Sequence, residues 1–351
     1  MTQEIYPIIK LEGRSIDFVK GSLKINGELR AATLVFTIPT LTDSKRKLWN
    51  KEVTFYVDRH DSVPVFRGWI KRMKPDFNSI EVHAEDGLGY LKRGGDLEET
   101  HLDLSDRNNI DGLTAGAAIK KVLEEIKLDS KLKTDMIGDT SPPYSNTKVP
   151  YRGLVPVIKI FKDILSKALN ISNQDLPRRN IGKIIDDGSN SQFIIELESD
   201  LDNDSIVHTF SEHNNIQKIS IVNRRVPTRI VVKGKDVEGT FTHDSARSAY
   251  DNNPLNVDND TLLSPAACVE FGARLFQANL RNQYEYKLTV LDGAYLQENE
   301  LVRVITDDKE YTGNYRVIGK QIDLTPSGFK IGVSLNRKPP TLAQYILSKD
   351  N

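Results

Sequence analysis

The stretch Val65-Phe66-Arg67-Gly68-Trp69-Ile70, running on to Met73 and followed by a turn and Ile80-Glu81-Val82-His83-Ala84-Glu85-Asp86, reads as two strands of a hairpin. β-Branched and aromatic residues dominate both arms, as a pleated and half-buried surface requires. Working outward, Ile5 to Leu11, Ser22 to Ile25, Ala32 to Ile38 and Glu52 to Val57 read the same way. Their spacing of about 10 to 15 residues suits a meander or small barrel. In Thr33-Leu34-Val35-Phe36-Thr37-Ile38 the alternation sets Leu34, Phe36 and Ile38 on one face, and in Val53 to Val57 it selects Val53, Phe55 and Val57.

From about residue 100 the period changes. Thr114 is placed to cap a helix reaching Ile126, with Ala115, Ala118, Ile119, Val122, Leu123 and Ile126 on one stripe. Pro156 suits the first turn of a second helix, in which Val157, Ile158, Phe161, Ile164, Leu165, Ala168 and Leu169 recur at helical spacing. The prolines of Asp139 to Tyr144 place a loop between the two. Strands return at Gln192 to Leu197, Ser205 to Phe210, Ile216 to Val222 and Thr228 to Lys233. Asp251 to Asp260 is rich in Asn and Asp and reads as an exposed excursion. Ser264 and Pro265 then open a third helix that turns Ala267, Phe271, Leu275 and Ala278 inward. Strands at Glu285 to Leu291, Leu301 to Thr306, Tyr311 to Ile322 and Gly328 to Leu335 close the chain, before a short helical tail at Leu342 to Leu347.

A length of 351 residues exceeds one ordinary core, and 38% hydrophobic with 28% charged residues fits folded, soluble units. A net charge of −1 argues against a dedicated duplex-DNA binder, which normally shows a basic excess. Cys268 is the single cysteine, so no disulfide framework or cysteine zinc site is expected, and its helical setting makes it a buried apolar residue. No secretory signal is visible in MTQEIYPIIKLEG and no run approaches a membrane span.

Signals for chemistry are sparse. His208 and His213 have H-x4-H spacing on a strand or turn rather than the helical H-E-x-x-H that aims two imidazoles at one metal. Asp200, Asp202 and Asp204 open like a calcium loop, but Ser205 stands where the loop needs glycine and Ser211 where it needs a bidentate carboxylate. Glu85 and Asp86 are adjacent, and neighbours on a strand point to opposite faces, a poor arrangement for paired carboxylate catalysis. Neither G-x-S-x-G nor a glycine-rich phosphate loop occurs. No catalytic, cofactor-binding or metal residues are assigned, and no enzyme activity is expected.

The order of segments carries more. The block from Val65 to Ile70, the return ending at Asp86 and the short helix at Leu88 to Lys92 resemble a recurring block of phage tail proteins. The helix at Ser264 to Leu275, followed by Glu285 to Val290, Leu301 to Val304, Thr312 to Val317 and Phe329 to Leu335, resembles the closing barrel of the same proteins. The family is the baseplate hub of contractile-tailed phages and related injection particles, including late-control-D-like and XkdQ-like hubs. The resemblance implies an α+β, β-rich chain with two barrel-like tube domains and an intervening helix-containing region. It divides the chain at 1–98, 99–225 and 226–351, with a helix at 264–281 in the last part. It further implies a homotrimer whose six lobes adapt a sixfold tail tube to a threefold central spike. Such a ring contacts the spike and the tube or other baseplate proteins, and lets DNA pass without binding it specifically. It would be made in the host cytoplasm and reside in the virion's tail baseplate, without membrane insertion or cofactors. A tail-tip protein of a non-contractile tail, a tail-associated cell-wall hydrolase and a carbohydrate-binding β-protein are the rival readings at this level.

Overall fold

The computed structural model describes residues 6–27, 29–39, 48–58, 60–92, 101–103, 110, 113–126, 132–135, 154–166, 180–198, 201–244, 252–259, 262–281, 283–309 and 311–336. The loop expected at 139–144, the helix continuation at 167–169, Asp200 and the tail at 342–347 lie outside these residues. The first third contains β1 (Ile8–Leu11), β2 (Arg14–Ile16), β3 (Lys20–Asn26), β4 (Thr33–Pro39), β5 (Glu52–Tyr56), β6 (Phe66–Pro75), β7 (Ser79–Glu85) and α1 (Gly87–Lys92). The middle contains β8 (His101–Asp103), α2 (Ala115–Glu125), β9 (Leu154–Pro156), α3 (Val157–Ser166), β10 (Asn180–Asp186), β11 (Ser191–Leu197), β12 (Ile206–Ser211) and β13 (Ile216–Asn223). The last third contains β14 (Arg229–Lys233), β15 (Glu238–Thr242), β16 (Pro254–Asp258), α4 (Pro265–Arg281), β17 (Tyr284–Val290), β18 (Leu301–Ile305), β19 (Gly313–Thr325) and β20 (Gly328–Asn336).

The fold is α+β and β-rich, and thirteen strands share one hydrogen-bonded sheet. Its N-terminal half runs β3-β4-β7-β6-β5-β1-β2, and its C-terminal half runs β12-β18-β19-β20-β17-β13. The two meet along β19, one edge of which serves β18 through residues 313–316 and β3 through residues 319–324. Each half is a row whose end strands follow one another in the chain, β2 leading into β3 and β12 into β13. The main core contains inward residues of both halves, among them Leu23, Phe36, Phe55, Val82, Phe210, Tyr315, Ile322 and Leu335, and no helical residue. Among the described residues no helix contributes to this core, so the sheet curls to cover its own buried face. Among the described residues neither row closes by pairing its two ends.

Strand pairing regroups two segments. The strands at 206–223, expected in the middle region, pair with β17 and β18 of the last third. Asp251 to Asp260, expected to be an exposed loop, holds β16, parallel to β14 from Arg229↔Pro254 to Lys233↔Asp258. The reason is alternation hidden among turn-forming residues: Leu255 and Val257 pack onto the core beneath α4 while Pro254, Asn256 and Asp258 face solvent. That third core seats Cys268 and Phe276 of α4 on Ile230 and Val232. Ser264 caps α4, its Oγ accepting from the Ala267 amide at 3.2 Å.

The second core joins α2, α3 and the β10–β11 hairpin, with Ile119, Val122, Phe161, Ile164 and Phe193 fully buried. Thr114 caps α2 by accepting from the Ala117 amide at 3.2 Å. Pro156 ends β9, so α3 begins one residue later than the sequence pattern places it.

Gly68, in the decisive stretch of β6, is held to its size by its neighbours. A Cβ there would lie 2.5 Å from Phe66 Cζ and closer still to the Glu85 carbonyl oxygen of the adjacent strand. Backbone cannot yield as a side-chain tip can. Gly68→Ala should lower the unfolding free energy by about 1–3 kcal/mol, read as a shift of the urea midpoint; an unchanged midpoint would show that β6 and β7 are not clamped at this point.

Candidate assembly interface

A polar seam fastens the middle region to both halves of the sheet. On the N-terminal side, Arg67 of β6 donates from Nε to Asp186 Oδ2 of β10 at 2.5 Å, from Nη1 to Glu52 Oε1 at 2.6 Å and from Nη2 to the Gly188 carbonyl at 3.1 Å. On the C-terminal side, Lys183 of β10 donates to the Glu298 carbonyl at 2.9 Å and pairs with Glu196 at 2.6 Å. Arg316 of β19 pairs with Glu198 at 2.7 Å, and Asn314 donates to the Leu201 carbonyl at 2.9 Å. Tyr295 donates to Asp61 across the same junction. Burial first, and then the Asp61 carboxylate, push the Tyr295 phenol above its usual pKa, so it remains a donor. The hairpin is thereby a wedge between the two curled halves and holds their relative placement. A charge-assisted, largely buried contact of this kind is strong in geometry and costly to break on one side.

Among the described residues β12 pairs only with β18 and β13 only with β17, although a short turn joins them, so each leaves an edge open. At the turn they are held together: Asn215 accepts from the Ser211 amide at 2.7 Å and donates from Nδ2 to Asp292 at 3.0 Å. Away from it, Ile221, on the face of Ile219, remains 38% exposed, and Ile206 and Val207, at the register shift of β12, are 39% and 55% exposed. Open backbone donors and acceptors beside uncovered apolar side chains are what strand-to-strand association uses.

The residues considered for chemistry are dispersed. His208 Nε2 lies 3.2 Å from Asp292 Oδ1, whereas His213 Nε2 lies 2.9 Å from Asp307 Oδ1, so the two rings serve different carboxylates. Asp202 and Asp204 occupy the turn before β12, and no group of three or more metal-ligating side chains occurs among the described residues. Glu85 faces partly outward, while Asp86 is buried and accepts backbone N–H bonds from Ala32 and Leu88, each at 3.0 Å. Cys268 is fully buried. No described helix is long and apolar enough to cross a membrane. Arg67, Lys183 and Arg316, which make the seam, carry no motif; their partners lie over 100 residues away or in a strand with no clear period.

No protein-family model and no curated protein matches the sequence. Solved structures do match. The tail protein from Neisseria meningitidis MC58 superposes with a TM-score of 0.65 at 14% identity, over 95% of this chain and 97% of that one. The 43 kDa tail protein of prophage MuSo2 from Shewanella oneidensis gives 0.64 at 12% identity, over 95% and 98%. The chain shares the fold of these tail proteins. The E. coli c3393 protein, a component of the type VI secretion system with structural similarity to the T4 tail proteins gp27 and gp5, gives 0.54 at 10% identity, over 95% of this chain and 79% of that one. The likeness to the first two covers 95% of the chain, and the expected α+β, β-rich fold is observed.

Proposed function

We propose that this chain is a structural subunit at the distal end of a phage-type tail, assembling as a homotrimeric ring that adapts a sixfold tube to a threefold spike. The observation that supports this most is the presence of two curled half-sheets in one chain, fused through β19. Each copy offers two lobes of like construction, so three copies present six, and a ring of closed symmetry satisfies both neighbours. In this reading residues 1–98 form one tube unit, residues 226–351 together with the strands at 206–223 form the other, and the helical remainder of the middle region braces them. One ring face meets the tube or other baseplate proteins, the other meets the spike, and DNA passes through the centre. Function resides in these interfaces, without a reaction or a cofactor, and the protein resides in the tail baseplate. The open edges of β12 and β13 are the surfaces suited to contact between copies.

Negative-stain electron microscopy of the full chain, alone and co-expressed with the neighbouring spike protein, tests this. The expected result is a threefold ring with six lobes and an open centre, with a particle mass three times the 39.6 kDa of the chain. Monomers under both conditions would overturn the reading.

A further inference from the structure

The solvent side of β13-β17-β20-β19-β3 forms a groove of about 570 Å³. Besides the buried Lys320, its lining holds seven Lys and Arg against four Asp and Glu, a local positive excess within a chain of net charge −1. Strand register sets the layout. Lys218, Thr289, Gly332, Gln321 and Lys24 form one row across the five strands. At about 4.8 Å per strand, the two lysines stand roughly 19 Å apart over a floor of small and neutral residues. Lys24 and Lys218 are exposed and form no ion pair with a described residue. The carboxylates are in part engaged: Glu285 with Arg224 at 2.6 Å, and Glu198 with Arg316 at 2.7 Å.

Gly332 gives a second and independent indication. A Cβ added there would meet nothing nearer than 3.8 Å, so packing within the chain does not require glycine. Glycine inside a strand is unfavourable by about 0.5–1 kcal/mol relative to alanine. Its smallness serves the open side of the sheet, where another backbone can approach closely.

We propose that this groove binds an extended acidic segment of another polypeptide. Charge complementarity selects an anionic occupant. Two features favour a polypeptide over nucleic acid. Among the described residues the lining contains no Phe, Tyr or Trp, so it offers no platform on which bases of a single strand could stack. Its four carboxylates interrupt the basic surface, which disfavours a continuous phosphate backbone but suits a peptide whose charges are spaced by neutral residues. This inference is independent of ring assembly and stands or falls by its own measurement.

The measurement is fluorescence anisotropy of the full-length chain with a fluorescein-labelled polyglutamate peptide, at low and at physiological salt. Binding that weakens with salt is expected, with at least about a tenfold loss of affinity in Lys24→Glu/Lys218→Glu and in Gly332→Leu. Gly332→Leu should keep the wild-type melting temperature because its side chain enters open space; if it does not fold, the paired lysine variant, altered only at exposed side chains, decides. Absence of polyglutamate binding, equal affinity for polyglutamine or for a single-stranded oligonucleotide of equal length, or wild-type affinity in the folded variants would overturn the proposal. So would self-association abolished by Gly332→Leu without peptide, which would give the groove to a second copy.

Discussion

Arg67→Met should lower the unfolding free energy by about 3–5 kcal/mol, the cost typical of removing one partner from a buried ion pair. The side chains of Arg67 and Asp186 are only 10% and 7% exposed. Burial on its own would lower the guanidinium's pKa, but the hydrogen bond and charge of Asp186, with help from Glu52, raise it above its ordinary value. The guanidinium therefore keeps its positive charge beside the carboxylate. Truncating Arg67 leaves the Asp186 carboxylate desolvated with only the Gly188 amide, at 2.8 Å, as a described donor. The double variant Arg67→Met/Asp186→Leu removes both charges and should regain most of the loss, since a buried pair is often replaceable by apolar side chains of similar volume. Urea unfolding of the two variants checks this. A single variant within about 1 kcal/mol of wild type would mean that the contact behaves as a surface ion pair and that the hairpin is not wedged as described.

That clamp also marks where reading the sequence stops. Strands such as Thr33–Pro39 were legible because buried Leu34 and Phe36 alternate with less buried neighbours, and α4 because Ser264 and Pro265 announce its start. β10 was not, since Gly182 and Lys183 break the alternation of Asn180–Asp186, and Lys183 is buried only because Glu196 and the Glu298 carbonyl receive it. β16 was masked by Asn and Asp that ordinarily mark turns. Pairing was illegible altogether. Ser22 donates to Asp323 at 2.8 Å across 301 residues, and only that β3–β19 junction turns two β-rich ends into one sheet. The same holds for the groove, where Lys24 and Lys218 reach one row through four registers that no local pattern encodes. Segment order, by contrast, survives without contacts, which is why a resemblance could be drawn from the sequence and the α+β, β-rich fold then observed.

The second large effect is an unusual dependence of stability on pH, with a contribution from two groups that is least favourable near neutrality. Asp86 is fully enclosed between β4 and α1, and burial raises its pKa to about 7, against the opposing effect of amides donated by Ala32, Leu88 and Gly89 and with a small push from the Glu85 charge. Lys320 is buried on β19 with its ammonium donating to the Ala294 carbonyl, and burial lowers its pKa to about 7, with Glu300 pulling weakly the other way. For Asp86 the folded pKa lies above the unfolded value, so between about pH 4 and 7 the folded state holds a proton that the unfolded state has released, and stability falls as pH rises. For Lys320 the folded pKa lies below the unfolded value, so between about pH 7 and 10 the unfolded state holds the extra proton, and stability rises with pH. Shifts of about three units correspond to roughly 4 kcal/mol each when fully developed. Asp86→Asn should therefore gain on wild type progressively from pH 4 to 7 and hold a constant difference above, whereas Lys320→Met should show its greatest advantage below pH 7 and lose it toward pH 10. Unfolding free energies of the three proteins across this range separate the two groups from every other titration, because only the variant-minus-wild-type difference is read. A difference that stays flat from pH 4 to 7 for Asp86→Asn would show that its three amide donors outweigh burial and keep the carboxylate ionised in the acid range.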